Sequence, residues 1–95
     1  MLGNSKQWQS AKVSERLSAI TDLSNTSSEQ KSILHELAFN DPEPTVRRAA
    51  LEQLNDFSLY WQASKKDSSS DIKKYALKRT KQFIVNDDNS SVSQQ

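Results

Sequence analysis

Two stretches of this chain repeat one another, and that duplication constrains its fold more than any other feature. Residues 33–51, from Ile33 to Leu51, align without a gap with residues 59–77, from Leu59 to Leu77, at a displacement of 26 positions. In that register Asp41 falls on Asp67, Val46 on Ile72, Arg47-Arg48 on Lys73-Lys74, and Ala50-Leu51 on Ala76-Leu77. A weaker copy lies upstream, displaced by 31 positions, in which Arg16, Ala19, Ile20 and Leu23 match Arg47, Ala50, Leu51 and Leu54. There Glu15 stands where the other copies have a β-branched residue, and Ser10 stands where they have Asp. A short unit recurring at this interval cannot bury both of its faces alone, so neighbouring units must stack.

Within each unit the apolar residues follow helical spacing. Val13, Leu17, Ile20 and Leu23 recur at steps of four, three and three, which predicts a helix from about Gln9 to Leu23. Ile33, Leu34, Leu37 and Ala38 form the next stripe, with Ser27 or Ser28 placed to cap it. Asn40-Asp41-Pro42 ends that helix, because the residue before a proline is pushed out of the α region. Pro44 suits the first position of a third helix carrying Val46, Ala50 and Leu54. Asp56 caps a short fourth helix from Phe57 to about Lys65, where Phe57, Tyr60 and Trp61 are expected to supply core. A fifth runs from about Ser70 to Val85, preceded by the ready N-cap of Asp67-Ser-Ser-Ser. No segment alternates with period two. The fold class is therefore all-α, with residues 1–8 as an N-terminal extension, 9–85 as the helical domain and 86–95 as a disordered polar tail. A chain of 95 residues is the length of one small domain.

The turn Asp41-Pro-Glu-Pro-Thr, followed by Val46-Arg-Arg-Ala-Ala, resembles the HEAT repeat, and especially its shorter bacterial HEAT-like form. The resemblance covers about Gln9 to Val85, with full units near Ser27–Asn55 and Asp56–Val85 and a lone inner helix before them. It implies a short right-handed α-solenoid (an α-α superhelix) of about five helices. The chain is also similar to HEAT-like segments at the N-termini of longer bacterial proteins. In this family an Asp in the turn precedes an Arg early in the inner helix, and the matching positions here are Asp41 with Arg47 and Asp67 with Lys73. The third unit departs from the pattern by having no Pro in its turn, and the first by having Ser10 for Asp.

Arg16, Arg47 and Lys73 are equivalent positions. They form either a structural ladder, each cation meeting the turn Asp41 or Asp67 of its own or an adjacent unit, or a row of anion contacts. Charge is unevenly spread along the chain. Residues 65–81 hold Lys65, Lys66, Lys73, Lys74, Lys78, Arg79 and Lys81 against Asp67 and Asp71, a local charge of +5, whereas residues 1–64 sum to −2. Lys74, Lys78 and Lys81 lie on one flank of the fifth helix. Since the second helix of each HEAT-like unit lines the concave surface, the resemblance turns this flank, with Arg48 and Arg79, toward a groove. An acidic protein segment or a phosphate backbone would suit it. The alternative is a solvated face whose lysines favour the C-terminal end of the helix dipole.

Chemistry-bearing motifs are scarce. The sequence has no cysteine and one histidine, His35, which excludes disulfides and an ordinary zinc finger. The lack of cysteine fits a reducing cytoplasm, the expected location. There is no glycine-rich phosphate loop, no metal-ligand spacing and no carboxylate pair that sequence marks as acid and base. No apolar run nears the roughly 20 residues that span a bilayer. The expectation is a non-catalytic module without cofactor or metal. Its partner would be another protein or the rest of a longer chain, with self-association through an open end and nucleic-acid binding through the basic flank as alternatives. Trp8, ahead of the first helix, would either cover an open end or meet a partner.

Overall fold

The computed structural model describes the backbone of residues 7–93 and the side chains of residues 7–84. It contains five helices, α1 (Val13–Asp22), α2 (Ser28–Asn40), α3 (Pro44–Leu54), α4 (Phe57–Lys66) and α5 (Ser70–Ser93), and no strand among the described residues. The caps follow local chemistry. Ser27 Oγ accepts the N–H of Gln30 at 3.4 Å, Asp56 Oδ1 that of Leu59 at 3.3 Å, and Ser69 Oγ that of Ile72 at 3.3 Å. Each satisfies one of the orphan donors at a helix start. Pro44 opens α3, where its missing N–H costs nothing. Asn55 ends α3 in the left-handed conformation, φ 49° and ψ 52°, which Asn tolerates better than most residues.

Two boundaries differ from the spacing. Gln7–Gln9 form a 3₁₀ turn and the chain bends at Ala11 and Lys12, so α1 starts at Val13 rather than near Gln9. At the other end the sequence pattern closes the fifth helix near Val85, whereas the backbone remains helical to Ser93. No proline or glycine follows Val85 to stop it. Residues 1–6 of the expected extension, and residues 94 and 95 of the expected tail, lie outside the described residues.

Contacts divide the chain into two compact units, Met1–Asn55 and Asp56–Gln95. In the first, α3 is the central element and both α2 and α1 pack on it. Leu34, Val46, Ala50 and Leu51 are wholly excluded from water, and Ile20, Leu37 and Leu54 nearly so. Burial of this kind supplies roughly 25 cal/mol per Å² of apolar surface. Two amides lock the α1–α2 loop to the end of α3. Asn25 Nδ2 donates to the carbonyls of Gln53 (3.2 Å) and Leu54 (3.3 Å), and Gln53 Nε2 donates to that of Leu23 (2.9 Å).

In the second unit α4 packs against α5. Tyr60 is fully buried, with its ring edge-on to Tyr75 at 6.0 Å and tilted to Phe83 at 5.9 Å. The other two aromatics of α4 do not join that core. Phe57 and Trp61 are 43% and 44% exposed, because they share a face one turn apart that α5 does not cover. Phe57 reaches only the edge of Phe83, and Trp61 lies under the Lys65 ammonium at 4.2 Å. Buried positions nevertheless recur in the register of the repeat: Leu34 with Tyr60, Leu37 with Ala63, Val46 with Ile72, Ala50 with Ala76, and Leu54 with Thr80. Thr80 sits in an apolar seat because its hydroxyl donates to the Ala76 carbonyl at 2.8 Å. No helix among the described residues is long and apolar enough to cross a membrane.

Candidate functional site

The turns ahead of α1, α3 and α5 share one design. Asp41 Oδ1 accepts the N–H of Glu43 at 2.9 Å, and Asp67 Oδ1 accepts that of Ser69 at 2.8 Å. Ser10 Oγ accepts that of Lys12 at 3.1 Å. A side-chain oxygen bonding the N–H two residues on is a self-contained turn. The serine therefore does the aspartate's backbone work in the first copy. Its hydroxyl also donates to Glu15 Oε1. The two departures of that copy thus compensate each other, the carboxylate having moved from the turn into the helix.

The arginines repeat as well. Arg16 Nη1 donates to the Ser10 carbonyl at 2.8 Å, and Arg47 Nη1 donates to the Asp41 carbonyl at 2.7 Å, each reaching six residues back. Arg16 also grips Asp41 with two parallel bonds, Nε to Oδ2 at 2.8 Å and Nη2 to Oδ1 at 3.0 Å. Their side chains are only 11% and 3% exposed. In Arg16 the planar fork serves the carbonyl of its own turn and the carboxylate of the next. Lys73, in the equivalent place on α5, is exposed and makes no such bond among the described residues. A lysine ammonium has no fork with which to do both.

The lysines singled out on the fifth helix, Lys74, Lys78 and Lys81, are all exposed on α5. Arg79 does not stand with them. It is half-buried, with its guanidinium 5.4 Å from the Tyr60 ring centre and Nη1 donating to Gln82 Oε1 at 2.9 Å. Its place in the helical turn puts it beside the core rather than on the basic flank. Arg48 is exposed on α3, in the first unit. His35 is exposed too, its ring against Phe39 at 4.9 Å. Trp8 is half-buried in the 3₁₀ turn.

Sequence reasoning counts Ile84 with the apolar pattern of the fifth helix and gives Leu77 no role beyond its match to Leu51. Leu77 and Ile84 are 40% and 44% exposed on α5, two turns apart on one face. Of the helical pattern Ile72, Ala76, Thr80, Phe83 and Ile84, all but Ile84 are buried or half-buried. No group of three or more His, Cys, Asp or Glu side chains is assembled to hold a metal among the described residues. Set against protein-family models, curated proteins and solved structures, the chain matches none.

Proposed function

We propose that this chain is a non-catalytic HEAT-like helical-repeat module that mediates protein–protein interaction, arranged as a short right-handed α-solenoid. The observation that carries the reading is the turn built three times, at Ser10, Asp41 and Asp67, with Arg16 and Arg47 each returning to the carbonyl of the turn before it. Repetition of hydrogen-bond geometry where the residue types differ favours a tandem unit over chance similarity of helices. The inner-helix pairing of α1 with α3, sealed by Arg16 and Asp41, is the contact a stacked array uses. Such arrays present side chains along a continuous face, and here the exposed Lys74, Lys78 and Lys81 supply it. Its partner is then an acidic protein surface.

The test is affinity capture on the wild-type chain and on a variant with Lys74, Lys78 and Lys81 all changed to Glu, both checked for equal helicity by circular dichroism. Proteins retained by the wild type and lost from the variant are the expected result. Identical sets would remove the flank from the reading. The same exposed lysines favour a second reading, contact with a phosphate backbone. A salt titration against random-sequence duplex decides it, because a nonspecific binder making several phosphate contacts weakens steeply as salt rises. No binding at low salt eliminates it.

A further inference from the structure

One edge of the inner helix is treated differently in α5 than in the helices it repeats. On α1 that edge carries Arg16 and Ile20, 11% exposed in its side chain and 2% exposed respectively. On α3 it carries Arg47 and Leu51, at 7% and 0%. On α5 the same positions are Lys73, which is exposed, and Leu77, at 40%, and the edge continues two turns on to Ile84, at 44%. At α1 the cover of such an edge is plain: α1 lies against α3, and the Asp41 carboxylate caps the Arg16 cation. The matching requirement for α5 is a helix with apolar side chains for Leu77 and Ile84 and carboxylates for the surrounding cations. Those cations are specific. Lys73, Lys74 and Lys81 stand three or four residues from Leu77, the spacing that makes neighbours on a helix surface. Lys81 also stands three residues before Ile84.

We propose that the edge of α5 formed by Lys73, Leu77, Lys81 and Ile84 docks an acidic amphipathic helix of a protein partner. The proposal rests on the reading of the chain as an interaction module and names the partner's chemistry. Two other occupants fit less well. A second copy meeting this edge with its own would bring two segments of charge +5 face to face. A nucleic-acid duplex would satisfy the lysines but leave the two apolar side chains wet, since its backbone offers them no apolar surface.

The experiment is fluorescence anisotropy of the full chain with labelled synthetic helices. One carries leucines on one face and glutamates on both flanks. A second replaces its glutamates with lysine, and a third its leucines with serine. Saturable binding of the first helix is expected, weakened at least about tenfold in either control, a change of about 1.4 kcal/mol. Leu77→Ser with Ile84→Ser in the chain should give the same loss. Both positions are already exposed, so helicity should be unchanged. Three results overturn the proposal: equal binding by the wild type and the doubly substituted chain, equal binding of the serine control helix, or no binding of the first helix. Sedimentation of the unliganded chain adds a fourth, since a dimer abolished by Leu77→Ser would assign the edge to a second copy. Duplex DNA that displaces the peptide would assign it to nucleic acid. If the peptide fails while the capture experiment still loses partners on charge reversal of Lys74, Lys78 and Lys81, the edge falls and the module reading stands.

Discussion

In the α2–α3 hairpin the turn aspartate, Asp41, is 6% exposed, and in the α4–α5 hairpin its counterpart Asp67 is 8% exposed. Each caps the preceding helix in extended backbone and accepts the N–H two residues on. Beyond the turn the two hairpins part. Arg47 is buried and bonds its own turn, and Leu51 is sealed; Lys73 and Leu77 face water. The shared half is local, held by hydrogen bonds within a few residues. The differing half depends on what lies against the edge of the inner helix. A repeat unit therefore carries its turn with it wherever it sits, while the burial of its edge reports its surroundings.

The sharpest way to break this comparison is to truncate the paired leucines. Leu51→Ala should cost about 2–5 kcal/mol, the range for emptying a packed site, measured by urea denaturation followed through helical circular dichroism. Leu77→Ala should stay within about 0.5 kcal/mol, as exposed substitutions do. Equal losses would mean that the two edges are alike in solution. Next in size is Asp41→Ala, expected to cost about 3 kcal/mol because it strands the largely buried Arg16 guanidinium and opens the turn. A double-mutant cycle with Arg16→Ala should return a coupling of about 1–3 kcal/mol; additive losses would show that the pair merely coexists with the packing.

Much of this was legible from residue types. The helix starts at Pro44 and after Ser27, Asp56 and the Asp67 serine run follow from capping chemistry, which acts within one turn and needs no knowledge of the fold. The buried pairs Val46 with Ile72 and Ala50 with Ala76 followed from the repeat register. The fate of Phe57 and Trp61 did not, because aromatic content says nothing of which side of a helix its partner occupies. Arg79 likewise counted as one more cation in a basic run. Only the ring of Tyr60 beneath its guanidinium sets it apart from the exposed lysines. In the candidate site, the three lysines could be placed by spacing alone. The exposure of Leu77 and Ile84 could not, since a leucine aligned with a core leucine and an isoleucine within a helical stripe both read as core.

Caps provide a control expected to act alike in both hairpins. Ser27→Ala and Asp56→Ala should each cost about 1 kcal/mol, the usual loss when a side-chain N-cap is removed. A much larger value at one of them, in the same denaturation assay, would reveal a role beyond the helix start.

A gain rather than a loss tests the divergence at its origin. If the α5 turn differs from the α3 turn only because lysine lacks a fork, then Lys73→Arg should restore the missing bond. The new guanidinium would reach six residues back to the Asp67 carbonyl, as Arg47 reaches Asp41 and Arg16 reaches Ser10. The gain should be about 0.5–1.5 kcal/mol, that of one hydrogen bond net of lost hydration. Charge is unchanged, so a gain would arise from geometry rather than from the field of the neighbouring lysines. Leu77 would remain exposed, because a turn bond does not bring another helix against the edge. Stabilisation accompanied by loss of the peptide contact would sharpen the picture further, tying Lys73 to the partner rather than to the turn. No change in stability would show that the α5 turn departs from its model in backbone position as well as in side chain.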